Sequence, residues 1–457
     1  MESFGAGGGG QRSDGEMSIN GRLESVHLST DHSNATAHSG ATTRHNQHGR
    51  GPNQRPWDIV RNAGPPANPI AFPKPSFARG QRADVLVYDE RTQQHYTAQN
   101  VLFCDYSSGD GDEGLSRVER AYRKIPEKPT IDTIMGHVEI CNVLRRSGSD
   151  RMSDADDSDT DDDGESEDIV FEMTDQLVAV KVNYCDRMDR MRNRHAEDPL
   201  KEVAAMQLIG NSHPNVLGCL EVLFDGTHLN VVLPYCGSGD LFAFLQETRS
   251  SNPGMPGLPE PQARFMFRQV LQGMRHLQSR GVCHRDLSPE NIMMEKDCSL
   301  IIDMGMCLRI PYSNPGNPPE VVTDITQGSN RRLIKPQGAC GKLPYMSPEI
   351  YKNQTAFDGE AVDVFTAGTI LFCMLSGNKS YERPEITDSQ FYWMTHGLSQ
   401  LLESWGVDLS REALKLLEGM LHISPKLRLS LDEVIDHPWF SFPDERPHIE
   451  SQGFSFP

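Results

Sequence analysis

The densest chemistry in the chain lies in one run, GVCHRDLSPENIMMEKDCSLIIDMG, which carries His284-Arg285-Asp286, Asn291 and Asp303. Two short apolar runs, Ile292–Met294 and Leu300–Ile302, flank a polar turn at Glu295–Ser299, the pattern of a hairpin. Asn291 stands before the first run and Asp303 after the second, so the hairpin's open end brings them side by side. An amide oxygen and a carboxylate held together are hard ligands, suited to Mg²⁺ with bound phosphates. Asp286, just ahead of Asn291, could take a proton from a hydroxyl placed beside that metal.

Three other stretches must frame that run. In Leu177–Tyr184, LVAVKVNY, strand alternation puts Val178, Val180 and Val182 on one face and Leu177, Ala179 and Lys181 on the other. The stretch DPLKEVAAMQLIGNSHPNV reads as a helix that carries Glu202 and ends near Gly210, with a proline following. HLNVVLPYCGSGDLFAFL reads as a buried strand broken by Pro234 and a Gly-Ser-Gly turn. Taken singly, Lys181 is a solvent-facing lysine and Glu202 a surface acid. Stripes at helical spacing, such as Phe267, Val270, Leu271, Met274 and Leu277, are core.

The chain of 457 residues carries a net charge of −20, which argues against a nucleic acid or an anionic membrane as partner. Residues 147–168, SGSDRMSDADDSDTDDDGESED, hold eleven acids against one arginine, a self-repelling run expected as a disordered, solvated insert. Residues 1–56 have few large apolar side chains and read as a disordered low-complexity arm. Residues 57–130 mix proline pairs with the apolar runs Val85–Tyr88 and Val101–Tyr106. They read as a partly ordered extension, with strands, a flap docked on the main unit, or nothing stable as the alternatives. Residues 441–457 form a short tail. The opening MESFGAGGGG shows no secretory signal, and the longest apolar stretch, near Thr366–Leu375, is too short to cross a bilayer. The ten cysteines contain no CxxC pair, which fits reduced thiols in the cytoplasm or nucleus.

Taken in order, these motifs resemble the eukaryotic protein kinases over about residues 131–440. The carriers are VAVK at 178–181, Glu202, the HRD run with Asn291, Asp303-x-Gly305, and Ser347-Pro348-Glu349. Asp363-Val364-Phe365 and SPKLRLSLDEVIDHPWF match the carboxyl-terminal lobe, and HPWF is similar to the calmodulin-dependent type. The resemblance implies a two-lobed α+β fold, with a small strand-rich lobe to about residue 235 and a mainly helical lobe to about 440. It implies an ATP- and Mg²⁺-dependent enzyme that phosphorylates serine or threonine in protein substrates.

Carried over residue by residue, the resemblance would give Lys181 the phosphates and Glu202 as its partner, Asn291 and Asp303 the metals, and Asp286 the substrate hydroxyl. Ala179 would cover the adenine, Met293 would lie beneath it, and Leu233 would stand at the back of the pocket. Main-chain groups of Pro234 and Cys236 would hold the base, and Asp240 would reach the ribose. Glu349 would pair with Arg428 as a structural tie. Met206, Leu220, His284 and Met304 would stack between the lobes.

The pattern is broken in three places. The glycine-rich loop, in the register Gly136 to Val143, keeps its first glycine and closing valine but has Val138 and Cys141 in place of glycines. Side chains there obstruct the approach of backbone N–H groups to phosphate. Ser288 stands where such kinases have lysine, and Lys342 where they have threonine. The cation is therefore expected to cross the contact, with Lys342 reaching toward Asp286 and the transferring phosphate. The activation segment, Asp303 to Glu349, is long, and its middle, SNPGNPPEVVTDITQGSN, is expected to be turn-rich and mobile. Arg285 is by resemblance a phosphate receiver, with Thr323, Thr326 and Ser329 as candidate sites for an upstream kinase. Two rivals stand beside the enzyme: a pseudokinase acting as a binding module, and a small-molecule kinase of similar fold. The full set Lys181, Glu202, Asp286, Asn291 and Asp303 weighs against the first, and the Ser-Pro-Glu and Arg428 apparatus against the second.

Overall fold

The computed structural model describes residues 60–447 except 61, 105–117, 148–169, 192–197, 253 and 255. The arm 1–56, the acidic tract from residue 148 onward and residues 448–457 of the tail lie outside the described residues.

The small lobe is built on an eight-stranded sheet. Its strands are β1 (Ala78–Asp89), β2 (Gln94–Cys104), β3 (Arg120–Lys124), β4 (Ile131–Asp132), β5 (Gly136–Arg146), β6 (Val170–Tyr184), β7 (Glu221–Phe224) and β8 (His228–Pro234), in the order β3-β2-β1-β7-β8-β6-β5-β4. β3 pairs with β5 as well as with β2, so the sheet closes into a ring. The apolar runs at Val85–Tyr88 and from Val101 to Cys104 lie in β1 and β2, so the small lobe takes strands from the stretch 57–130. Alternation along β6 sorts the two faces. Val178, Val180 and Val182 are buried with Leu102, Tyr122 and Val143 inside the ring. Ala179 and Lys181 face the other way, opposite Ile140 and Val138 of β5 and Leu233 and Val231 of β8.

The helices are α1 (Cys185–Met191), α2 (Pro199–Ile209), α3 (Leu241–Ser251), α4 (Glu260–Ser279), α5 (Pro348–Lys352), α6 (Gly359–Ser376), α7 (Ser389–His396), α8 (Leu398–Ser404), α9 (Arg411–Met420) and α10 (Leu431–Ile435). α2 starts where Asp198 accepts from the Leu200 N–H at 3.0 Å, has proline at its first position, and ends at Gly210 with φ +79°. α4 buries the stripe Phe267, Val270, Leu271, Met274 and Leu277. Each such side chain contributes about 1.5–3 kcal/mol on leaving water. The apolar stretch read at Thr366–Leu375 is only part of α6, which runs for 18 residues from its cap at Asp358. By length and composition α6 could cross a membrane, but 89% of it is buried inside the protein. It is the core helix of the large lobe.

Short strands complete that lobe: β9 (Val282–Cys283), β10 (Ile292–Glu295), β11 (Cys298–Ile301), β12 (Leu308–Arg309), β13 (Tyr312–Ser313) and β14 (Asn330–Arg331). The middle of the activation segment, expected as mobile, is instead pinned. Tyr312 and Thr323 exchange backbone bonds of 3.0 and 2.8 Å, and β13 pairs with β14. Arg331 then anchors the segment on Asp358 at 2.9 Å and Glu360 at 3.0 Å. Backbone ladders and a buried ion pair outweigh the turn-forming prolines and glycines in this stretch.

Candidate active site

The hairpin forms as its sequence dictates. β10 and β11 pair with Ile292 opposite Ile301, and the Ile302 N–H donates to the Asn291 carbonyl at 3.0 Å. Asn291 and Asp303 therefore meet at the open end. The Asn291 side-chain amide donates to the Asp286 carbonyl at 2.7 Å and to its Oδ2 at 3.3 Å. Asp303 holds a left-handed φ of +64°, with its Oδ1 accepting from the Gly305 N–H at 3.0 Å. Arg285 is likewise left-handed at +68°, a conformation that costs about 1–2 kcal/mol outside glycine. Buried Asp363 holds it there by accepting from the N–H groups of His284 at 2.7 Å and Arg285 at 2.8 Å. Burial raises the Asp286 carboxyl above its ordinary range; Asp303 adds to the rise, while His284 and Lys342 oppose it. Asp286 Oδ1 is buried without a hydrogen-bond partner.

Lys181 reaches across the same cleft. Its ammonium lies 2.8 Å from each carboxylate oxygen of Glu202 on α2. Met206, His284 and Met304 of the expected stack are all buried. Leu220 is not part of it, being 43% exposed. Cys219 and Val222 pack on the cluster holding Met206 and Met304, and Glu202 is near enough to Cys219 to help burial raise its thiol. Leu220 precedes β7, so strand alternation had nothing to fix its side.

The cleft face of the small lobe presents Ala179, Lys181 and Leu233. Below the connection to the large lobe, Met293 of β10 bridges to Asp240, and Glu295 accepts from the Gly237 N–H at 2.8 Å. Pro234 ends β8 and Cys236 follows it, its thiol pushed up to about 11 by burial. Asp240 caps α3 by accepting from Ala243 at 2.8 Å, and burial raises its carboxyl.

The expected glycine-loop register is wrong by the length of a turn. Gly136 does not open the loop but closes it: Thr133 N–H donates to the Gly136 carbonyl and Gly136 N–H to the Thr133 hydroxyl, each at 3.0 Å. A Cβ at Gly136 would lie 1.8 Å from the Val182 carbonyl oxygen, so this glycine serves strand contact and not phosphate. Val143 is also misplaced. It packs inside the ring with Val178, Val180 and Val182, on the face away from Lys181. Val138, read as a loop position over the phosphates, lies instead within β5 opposite Lys181, and Ile140, opposite Ala179, is a residue of the same face that the sequence reading missed. Their period-two spacing against Ala179 and Lys181 was the available signal.

Lys342 places its ammonium 3.0 Å from the Ser288 hydroxyl and 3.3 Å from Glu290. The Arg285 guanidinium meets the Cys340 sulfur and lies 5.9 Å from the centre of the Phe357 ring. The candidate phosphosites are engaged elsewhere. Thr323 is tied to Tyr312 through its backbone while its hydroxyl is buried without a partner, Thr326 donates to Asn314 at 3.0 Å, and Ser329 donates to the Thr326 carbonyl at 2.7 Å. The Glu349 carboxylate takes two bonds from Arg428, at 2.5 and 3.1 Å.

Comparison with known proteins agrees with this geometry. The chain is 32% identical over 213 residues to the serine/threonine-protein kinase CHK1 of Mycosarcoma maydis, covering 46% of this chain and 28% of that protein. It is 29% identical over 279 residues to the serine/threonine-protein kinase grp of Drosophila melanogaster, covering 60% and 48%. It is 29% identical over 276 residues to the SNF-related serine/threonine-protein kinase of Homo sapiens, covering 60% and 31%. The match thus spans less than half the length of each of these curated relatives. A family model described as the protein kinase domain matches residues 164–440, more than half of the chain, and the chain belongs to that family.

Proposed function

We propose that the chain transfers the γ-phosphoryl group of ATP to serine or threonine hydroxyls of protein substrates. One observation carries the reading: the Lys181 ammonium is held 2.8 Å from both Glu202 oxygens, in the cleft where Asp286, Asn291 and Asp303 converge. Lys181 so held grips the phosphates. Because the Thr133–Gly136 turn spends the N–H groups of Thr133 and Gly136 internally, more of that grip falls on Lys181 than in a glycine-rich loop. Ala179 and Leu233 close over the base and Met293 supports it, with the main chain at Pro234 and Cys236 as its hydrogen-bonding edge. Asp240 reaches the ribose with the oxygen that does not cap α3.

The residues fit Mg²⁺. The Asn291 amide nitrogen is committed to Asp286, which leaves its oxygen as a hard ligand beside the Asp303 carboxylate. Bound there, the ion would neutralise phosphate charge. The unpartnered, buried Asp286 Oδ1 is the acceptor that an incoming hydroxyl would satisfy, orienting it and taking its proton. Lys342, seated on Ser288 and Glu290, supplies a cation beside that transfer.

The preference for serine and threonine rests on the names of the relatives and on the Pro289-Glu290-Asn291 continuation. An upstream kinase acting on Thr323, Thr326 or Ser329 belongs to the same proposal as a modulator of the rate, not as a requirement for it; its phosphate would have to displace Cys340 to reach Arg285. None of the ten cysteines is in a disulfide, which supports a cytoplasmic or nuclear setting.

The test is purified full-length chain with labelled ATP and a generic peptide mixture, beside Asp303→Asn and Lys181→Met. Label on peptide from wild type alone is the expected result. Thermal stabilisation by Mg-ATP with no label on any peptide would select a nucleotide-binding module instead.

A further inference from the structure

Residues 63–77 run along the outside of the molecule from the activation segment to the helix that carries Glu202, bonded at both ends and through Ala71 and packed through Phe72 between. The Ser313 hydroxyl donates to the Ala63 carbonyl. Buried Arg332 donates to the Pro65 carbonyl at 2.9 Å and to the Val321 carbonyl at 3.2 Å. Ala67 takes a strand position beside Ile334, its N–H donating to Leu333 at 3.0 Å and its carbonyl accepting from Lys335 at 2.9 Å. Ile334 pairs in turn with Phe357, whose ring lies under Arg285. Further on, the Ile70 N–H donates to Arg309 at 3.1 Å, and the Arg309 guanidinium donates to the Ala71 carbonyl at 2.7 Å. Arg309 lies in β12, the partner of β9, which leads directly into His284.

The far end grips α2. Ser76 and Gln207 bond in both directions, at 2.9 Å from the Ser76 N–H and at 2.5 Å to its carbonyl. Phe72 and Phe77 pack against the main core, with Phe77 edge-on to Phe224 at 6.0 Å. Between this stretch and α2 lies a cavity of about 650 Å³ lined by Phe72, Phe77, Leu200, Ala204 and Leu308.

The composition suits a strap. Pro65, Pro66, Pro69, Pro73 and Pro75 keep the backbone extended and lower the entropy lost on docking. Proline has no N–H to satisfy, so the stretch offers carbonyls, and arginines of the activation segment take them. Gly64, at φ +132°, lets the chain pass close to Pro319, where a Cβ would lie 2.9 Å from the carbonyl oxygen. Arg332 is 2% exposed, and without Pro65 it would be a buried cation short of an acceptor.

We propose that residues 63–77 are a built-in strap that positions the Glu202 helix and the activation segment together, so that the Lys181–Glu202 pair assembles without phosphate on the segment. Gln207, Arg309 and Arg332 are positioning residues in this scheme. The inference rests on the kinase reading for its catalytic consequence, but the mechanical linkage stands by itself.

The experiment compares full-length wild type with Ala67→Pro, which removes the N–H given to Leu333, and with Ala67→Gly, which keeps it. Amide hydrogen exchange and steady-state kinetics are read on each, with the phosphate content of residues 303–349 measured by mass spectrometry. Ala67→Pro should exchange faster in α2 and in residues 308–335 while α6 keeps its protection. Its kcat should fall about tenfold, the equivalent of one or two lost hydrogen bonds, with KM for ATP much less changed. Ala67→Gly should behave as wild type, and wild type free of phosphate on 303–349 should be active. Unchanged exchange in α2 for Ala67→Pro would overturn the strap, as would activity that appears only after the segment is phosphorylated. If wild type transfers no phosphate at all, the kinase reading fails, yet the exchange comparison still decides the linkage.

Discussion

The ammonium of Lys342 lies 3.0 Å from the hydroxyl of Ser288, so a cation carried by the segment before Ser347 reaches a residue two places beyond Asp286. Lys342 also bonds Glu290 at 3.3 Å, which holds it at the cleft and leaves its charge to oppose the rise of the Asp286 carboxyl.

Replacing that cation should therefore slow transfer. Lys342→Met should lower kcat about 10–100-fold, while Lys342→Arg keeps most of the rate, because charge and not shape is what the site draws on. The double exchange Ser288→Lys with Lys342→Thr should recover activity. Steady-state kinetics decide it, and wild-type turnover in Lys342→Met would remove Lys342 from the mechanism.

The corrected loop register separates two neighbouring positions. Gly136→Ala should destabilise the small lobe by about 1–3 kcal/mol, since its Cβ meets the Val182 backbone and a backbone cannot give way as a side chain can. Val138→Ala should leave the melting temperature nearly unchanged and raise KM for ATP about 5–10-fold, through lost apolar cover. The opposite assignment of effects would restore Gly136 to the nucleotide.

Asp225 gives a pH signature. Burial alone would raise its carboxyl, but bonds from His228, the Thr227 N–H and Asn230 outweigh it and hold the group well below its ordinary value of 3.8. A depressed carboxyl adds stability that is present above its unfolded value and is lost as pH falls through the folded one. Asp225→Asn should therefore cost about 1–3 kcal/mol in urea unfolding at pH 7, with the gap to wild type narrowing below about pH 4. A gap independent of pH would assign the loss to packing.

Arg428 is fully buried on Glu349, with further bonds to the carbonyls of Ala361 at 2.6 Å and His422 at 3.0 Å. Removing one member strands a buried charge. Arg428→Ala should cost about 3–5 kcal/mol, and Glu349→Gln less, because the glutamine carbonyl and the Ala361 and His422 carbonyls still accept from the guanidinium it leaves behind. Calorimetry on both variants tests the order.

The large lobe and the catalytic cluster were legible because their signals are local. Asn291 and Asp303 are joined by a hairpin whose two strands and turn lie within a few residues, and Glu202 sits on a helix with its own cap and stop. What failed was placement that depends on distant partners. The side of Val143 is set by β3, and the turn at Gly136 by its contact with Val182, and neither partner adjoins it in sequence. Leu220 lies just outside a strand, where alternation has no purchase. The middle of the activation segment has the composition of a loose loop, and the Tyr312–Thr323 ladder, Arg331, Arg332 and the remote Pro65 and Ala67 together make it otherwise.

Because β3 zips onto β5, the described strands of the small lobe have hardly any bare margin. Trimming the chain to the span 164–440 would remove β1 to β5 and strip β6 and β7 of neighbours on those sides. Such a fragment would offer unsatisfied peptide groups to its own copies, an edge-to-edge liability that the closed ring of the described strands keeps covered.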